Sequence, residues 1–349
     1  MRLFNLYLFV ALLFSLLIPA CDVHEFPEEE PLPPAPGEVS FDLQLDFAFD
    51  RAELPHYKTI AIGSTRAADL PSYNARYQIR VFRMGADSLF EATPCETIEF
   101  NHVIAEALDY RKSLRLKEGR YRFIAWTDFS ENMDDCFYST TDFSSIALLG
   151  DEHVANNDFR DAFRGVVETD LRFDASSERV IKIDMLRPLA KFRFETIDIE
   201  QFKSDYLRSQ QQSGTSKKAI ATEEDIDMTK FSVRFSYVGF MPSVYNMYTD
   251  RPVDVKTGVS FPSVLTDIKD GEATMGFDYV MVGDGDAGVS MAVAIFDKDG
   301  KCLSGVDNIQ VPLQRGKLTI VRGNFLTSRS SGNVQIDPSF DGEFDIEIR

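Results

Sequence analysis

Cysteine and histidine are scarce, four of each in 349 residues, and there is a single tryptophan. His24, His56, His102 and His153 stand far apart with no metal-ligand spacing, so neither a zinc site nor a cluster is expected. No G-x-S-x-G elbow, H-E-x-x-H helix, phosphate-cradling glycine loop or paired C-x-x-C occurs. Asp284-Gly285-Asp286 and Asp297-Lys298-Asp299-Gly300 look faintly like calcium loops. Both lack the following ligand run that ends in Glu, and both read instead as hairpin turns. Scattered carboxylates could pair in space for glycoside hydrolysis, but no spacing singles out a pair. The expectation is a protein that is not an enzyme, with no catalytic residue, cofactor or metal. Cations are also in deficit, 37 Lys and Arg against 56 Asp and Glu, for a net charge of −19. A surface that acidic repels phosphate backbones, which excludes nucleic acid as a partner class. Average apolar and charged contents of 44% and 27% exclude wholesale disorder and a fibrous repeat. The length suits roughly two domains.

Long apolar runs are absent except at the start. Residues 1–20, MRLFNLYLFVALLFSLLIPA, place Arg2 before an apolar run broken only by Asn5 and Ser15, the pattern of a secretory signal peptide. A membrane-spanning helix needs about 20 apolar residues, more than this run supplies. Ile18-Pro19-Ala20-Cys21 resembles the bacterial lipobox, which implies cleavage before Cys21 and a fatty-acylated thioether on it. In residues 21–38, Pro27, Pro31, Pro33, Pro34 and Pro36 surround Glu28, Glu29 and Glu30. Fixed φ angles and mutual repulsion make that stretch a stiff tether, at about 3.1 Å per residue roughly 50 Å long. After lipidation Cys95, Cys136 and Cys302 remain, so one bridge at most can form, with Cys95 and Cys136 the nearer pair in sequence.

Beyond the tether, alternation dominates. Val39, Phe41, Leu43, Leu45 and Phe47 share one face of a strand and polar residues the other. Residues 77–82, 113–116, 179–185, 190–196, 231–238 and 318–326 read similarly, and 121–126 is apolar on both faces toward its end. The apolar-rich runs 277–282, 289–296 and 303–311 are separated by Gly283-Asp284-Gly285-Asp286 and Asp299-Gly300, which predict hairpins. Helical spacing is limited to Val103, Ile104, Ala107 and Leu108 and to residues 151–163. Gly239 and Pro242 are expected to stop the strand over 231–238. Residues 200–228 are polar and predict a long loop. The expected fold is mostly β, with short helices in loops. Residues 39–186 and 187–349 form its two halves, the second ending in a tail strand over 340–348.

Several segments together resemble the fimbrial-anchor lipoproteins of Bacteroidetes, the FimB-like group of type V pilus assembly. They are Glu118-Gly119-Arg120-Tyr121-Arg122-Phe123-Ile124-Ala125-Trp126-Thr127-Asp128, Arg187-Pro188-Leu189-Ala190-Lys191-Phe192, Tyr237-Val238-Gly239-Phe240-Met241-Pro242, Val321-Arg322-Gly323-Asn324-Phe325-Leu326-Thr327 and Phe340-Asp341-Gly342. The resemblance implies two tandem transthyretin-like β-sandwich domains, attachment to the outer membrane through lipid on Cys21, and fimbrial subunits or other surface proteins as partners. The mechanism it suggests is strand addition, with the tail 340–348 and the strand 318–325 as the elements offered. A second reading is a glycan-binding surface lipoprotein of a nutrient-uptake system; a third is a fimbrial subunit or tip adhesin. Arg66-Ala67 is the junction where such a subunit would be cut, and is read here as ordinary loop.

Overall fold

The computed structural model describes residues 40–49, 73–103, 111–172, 180–213, 222–328 and 344–348. The signal segment, Cys21, the tether, Arg66 and Ala67 lie outside the described residues. Alternating sequences become strands because one face can be buried while the other stays wet. The first nine are β1 (Ser40–Phe49), β2 (Asn74–Arg83), β3 (Glu96–Val103), β4 (Arg111–Lys117), β5 (Gly119–Ser130), β6 (Tyr138–Ser139), β7 (Ile146–Leu148), β8 (Phe163–Leu171) and β9 (Val180–Met185). Then come β10 (Leu189–Thr196), helix α1 (Ile199–Ser213), β11 (Ser232–Tyr237), β12 (Phe240–Asn246), β13 (Arg251–Thr257), β14 (Ser260–Val264) and β15 (Thr266–Lys269). The chain closes with β16 (Glu272–Met281), β17 (Ala287–Phe296), β18 (Cys302–Leu313), β19 (Leu318–Gly323) and β20 (Phe344–Ile348).

The fold is mostly β and built from sandwiches. Sheet β4-β1-β9 faces sheet β3-β2-β5-β8. The Phe47 ring stands 5.1 Å from Tyr77, and Phe49 meets Phe163 edge-on at 5.0 Å. At the corner where β8 meets β9, Gly165 is required, since a Cβ there would lie 2.5 Å from Ile183 Cγ2 and Met185 Sδ. The second sandwich packs sheet β15-β16-β10-β19-β20 against β14-β11-β17-β18. Its core carries Phe192, Phe194, Phe235, Met291, Ile295 and Val321.

A further sheet, β13-β12-β7-β6, draws β6 and β7 from the first half of the chain and β12 and β13 from the second. Beneath it a second apolar cluster joins Phe82, Ile124 and Trp126 of the first sandwich to Leu189, Tyr245 and Met281 of the second half. Arg164 of β8 reinforces that joint by donating from Nη2 to the Met247 carbonyl at 2.8 Å.

Four local expectations are corrected. The polar stretch 200–228 opens with α1, because Ile199, Phe202 and Tyr206 recur at helical spacing. Ile199 and Phe202 are buried, and Phe202 and Tyr206 close on Phe231 at 5.0 and 5.2 Å. Residues 151–163 hold a single 3₁₀ turn, Asp158–Arg160, and no α-helix. Of the short helix expected over 103–108, Val103 ends β3 and the rest lies outside the described residues. Asp299-Gly300 does join the antiparallel pair β17 and β18, with Gly300 at φ +78°. Gly283-Asp284-Gly285-Asp286 instead arches between β16 and β17, which belong to opposite sheets. Finally, Gly239 does interrupt the chain, but Pro242 lies inside β12, where its missing N–H is tolerated. Cys95, Cys136 and Cys302 are all free thiols.

Candidate functional site

Of the segments that carried the fimbrial-anchor resemblance, 118–128 and 187–192 reach the joint between the sandwiches, 321–327 lies in the core of the second, and 340–342 falls outside the described residues. Trp126 is fully buried and meets Tyr138 edge-on at 5.5 Å. On the same strand pair, Arg76 Nε and Nη2 hold Asp128 at 2.8 and 2.6 Å, both side chains 1% exposed. Burial pushes the Asp128 carboxyl up against the pull of that guanidinium. The segment Arg187-Pro188-Leu189-Ala190-Lys191 supplies two further cations. Arg187 Nε reaches both carboxylate oxygens of Asp161, at 3.0 and 2.9 Å. Lys191 Nζ lies 2.6 Å from Asp158 and 4.0 Å from the Phe277 ring centre. Asp158 opens and Asp161 caps the 3₁₀ turn whose own cation, Arg160, pairs with Asp278 of β16. Reading the sequence named Arg187, Lys191 and Asp128 only as parts of the resembling segments, and missed Arg76, Arg160, Asp158, Asp161 and Asp278. Its only signal was Asp158 and Asp161 three apart in an otherwise irregular stretch.

Asp278 is the hub. His153 Nε2 is 2.5 Å away and the Tyr237 hydroxyl donates at 2.6 Å, so a residue of the Tyr237–Pro242 segment is again structural. Burial alone would raise the Asp278 pKa. The Arg160 guanidinium, with hydrogen bonds from His153 and Tyr237, outweighs it and holds the carboxyl below its ordinary range. A depressed folded-state pKa contributes stability that is complete above the unfolded value, about 4, and is lost as pH falls through the folded one. The melting temperature is therefore expected to fall steeply below about pH 4. In Asp278→Asn that acid limb should be shallower, and equal acid limbs in both proteins would refute the assignment. Charges this deeply buried fix geometry more than they add net stability.

Nothing in this network faces solvent as a catalytic constellation. Among the described residues no group of three or more His, Cys, Asp or Glu is placed to hold a metal. What remains accessible is sheet edge. The last long strand, β19, is internal, flanked by β10 and β20. The tail strand β20 lies parallel on it, with Phe344, Ile346 and Ile348 in register with Thr319, Val321 and Gly323. Another exposed edge is β13, which among the described residues pairs only with β12. Here the Tyr237–Pro242 segment turns outward. Val238 is 52% and Phe240 67% exposed, beside Val253 at 50% and Val255 at 45%. Exposed apolar groups gathered in this way mark interaction surfaces.

The chain belongs to the family of unknown function DUF6562, whose model matches residues 36–349. No curated protein matches it. Among solved structures it is similar to the fimbrial anchor protein Mfa2 from Porphyromonas gingivalis. Identity there is 13%, coverage is 77% of this chain and 82% of that one, and the TM-score is 0.39. It is likewise similar to a fimbrial assembly protein from Parabacteroides distasonis, at 12% identity, 81% and 91% coverage and a TM-score of 0.40. The fimbrial-anchor group read from the sequence thus recurs among the structural likenesses. At TM-scores of this size, function has to be argued from the chain itself.

Proposed function

We propose that this member of a family without assigned function is a non-enzymatic surface lipoprotein of the outer membrane. Lipid on Cys21 anchors it, and strand-addition contacts hold a fimbria or adhesive fibre. The lipobox-like Ile18-Pro19-Ala20-Cys21 and the stiff acidic stretch after it support the anchor. The observation that carries the gripping role is β20, a five-residue strand that among the described residues hangs on the rim of a sandwich sheet by one neighbour. A parallel strand reaches such a place only through a crossover of a dozen or more residues. Twenty positions of sequence separate the end of β19 from the start of β20. A rim strand of this kind offers its free backbone edge to a partner, and alternate side chains set specificity. The glycan-binding reading is weaker because the sole tryptophan is buried and cannot serve as a stacking platform.

Co-purification from detergent-extracted native membranes tests the proposal. The full chain is expected to recover fibre subunits and to pass unretained through polysaccharide columns. Deleting residues 344–349 should cut that recovery to roughly a tenth or less, because the backbone ladder supplies the affinity. A melting curve on the truncated chain shows that the body stays folded. Undiminished recovery after the deletion, or retention on polysaccharide with no subunit recovered, would overturn the reading.

A further inference from the structure

The edge of β13 has chemistry of its own. Its register on β12 sets Val255 opposite Pro242 and Lys256 opposite Met241. Pro242 has no N–H, so this pair cannot exchange ladder hydrogen bonds, and the N–H and C=O of Val255 point away from β12 to the open side. The structure shows how that outward amide is satisfied. Asp254 Oδ1, on the preceding residue, accepts from the Val255 N–H at 2.8 Å. Lys256, two residues on from Asp254, makes only a long contact, 3.4 Å from the Gly150 carbonyl. Both side chains are exposed, as are Val253 and Val255.

About Val255 these residues are self-complementary in charge, with an acid on one side and a cation on the other. An antiparallel two-fold there sets Val255 against Val255, Asp254 against Lys256 of the second copy, and Val253 against Thr257. Each Val255 N–H then donates to the other Val255 carbonyl, the closely spaced pair of an antiparallel ladder. Each Asp254 carboxylate, released from that amide, meets an ammonium across the axis. Two-folds through Asp254 or Lys256 would oppose like charges. One through Val253 would set Asp254 against Pro252 and leave that carboxylate unmatched.

We propose that β13 is an isologous interface through which two copies of this chain join edge to edge, merging their four-stranded sheets into one of eight strands. Phe240, on β12 opposite Thr257, borders the joint and would be covered by it. The inference rests on the β13 edge alone and is independent of what the tail strand grips.

Sedimentation of the detergent-solubilised full chain over a wide concentration range tests it. The wild type should show a monomer–dimer equilibrium. K256D, acidic at both positions, and D254K, cationic at both, should each dimerise roughly tenfold or more weakly, a change of about 1.4 kcal/mol. Mixing K256D with D254K should restore the dimer, and so should combining the two substitutions in one chain. Restoration by mixing shows that the single variants are folded. A wild type that stays monomeric throughout, variants that dimerise like wild type, or folded single variants whose mixture does not dimerise would each overturn the proposal. So would a fibre-derived strand cross-linking to Val255→Cys in place of a second copy.

Discussion

Asp278→Ala is expected to destabilise the body by about 3–5 kcal/mol, the range for removing one partner of a buried ion pair. Arg160 is 3% and Asp278 0% exposed at the side chain, so no water stands ready to replace the carboxylate. The Tyr237 hydroxyl and His153 would lose their acceptor in the same step. The midpoint of chemical denaturation reads the effect. The double variant R160M/D278A should recover much of the loss, because replacing both charges by apolar groups removes the uncompensated cation. If the single variant shifts the midpoint by less than about 1 kcal/mol, the hub is solvated and the burial argument fails.

The reason for so large an effect lies in where the charges sit. Asp158, Arg160 and Asp161 form one short turn whose three charges reach Lys191, Asp278 and Arg187. Those partners sit on β10, on β16 and just ahead of β10. A single 3₁₀ turn thus ties the two halves of the chain together, next to the apolar cluster around Trp126. A buried pair is poor evidence for net stability, yet it penalises every arrangement of the halves that separates it. For a protein proposed to carry tension between membrane and fibre, a joint with one permitted geometry is the useful property.

Much of this was legible in the sequence because a period of two is hard to mistake. The strands over 39–47, 190–196 and 231–238 appear within a residue or two of their expected places, and that over 121–126 lies inside the longer β5, Gly119–Ser130. What was lost was long-range. Asp284-Gly285 and Asp299-Gly300 are the same local chemistry, yet one arches between sheets and the other turns within one. Only the register of distant strands decides that. The helix α1 was hidden because its polar residues outnumber the few, Ile199, Phe202 and Tyr206, that touch the core. The short strands β6 and β7 carried no signal because two or three residues hold no period. At the candidate edge, Gly239 and Pro242 were legible as interruptions. That Pro242 would turn the Val255 amide outward follows only from knowing which residue it faces.

Cys21→Ser is expected to abolish incorporation of labelled fatty acid, since the thioether that joins the lipid-bearing group to the chain is made from the Cys21 thiol. Each buried CH₂ contributes about 0.8 kcal/mol, and one chain binds membranes only marginally while two or more anchor stably. Loss of the acylated cysteine therefore removes the whole anchoring term. The charge of the proposed mature chain offers no electrostatic substitute. Cleaving residues 1–20 takes away Arg2 and no acid, which leaves 36 cations against 56 acids, or 36 − 56 = −20. Such a body is repelled by anionic lipid headgroups. The comparison that isolates the role is Cys302→Ser, which removes an exposed thiol at the start of β18 and should keep both the label and partition into detergent. Equal labelling of Cys21→Ser and wild type would place the lipid elsewhere or nowhere. The β-sandwich body would then need a different hold on the envelope from the one proposed.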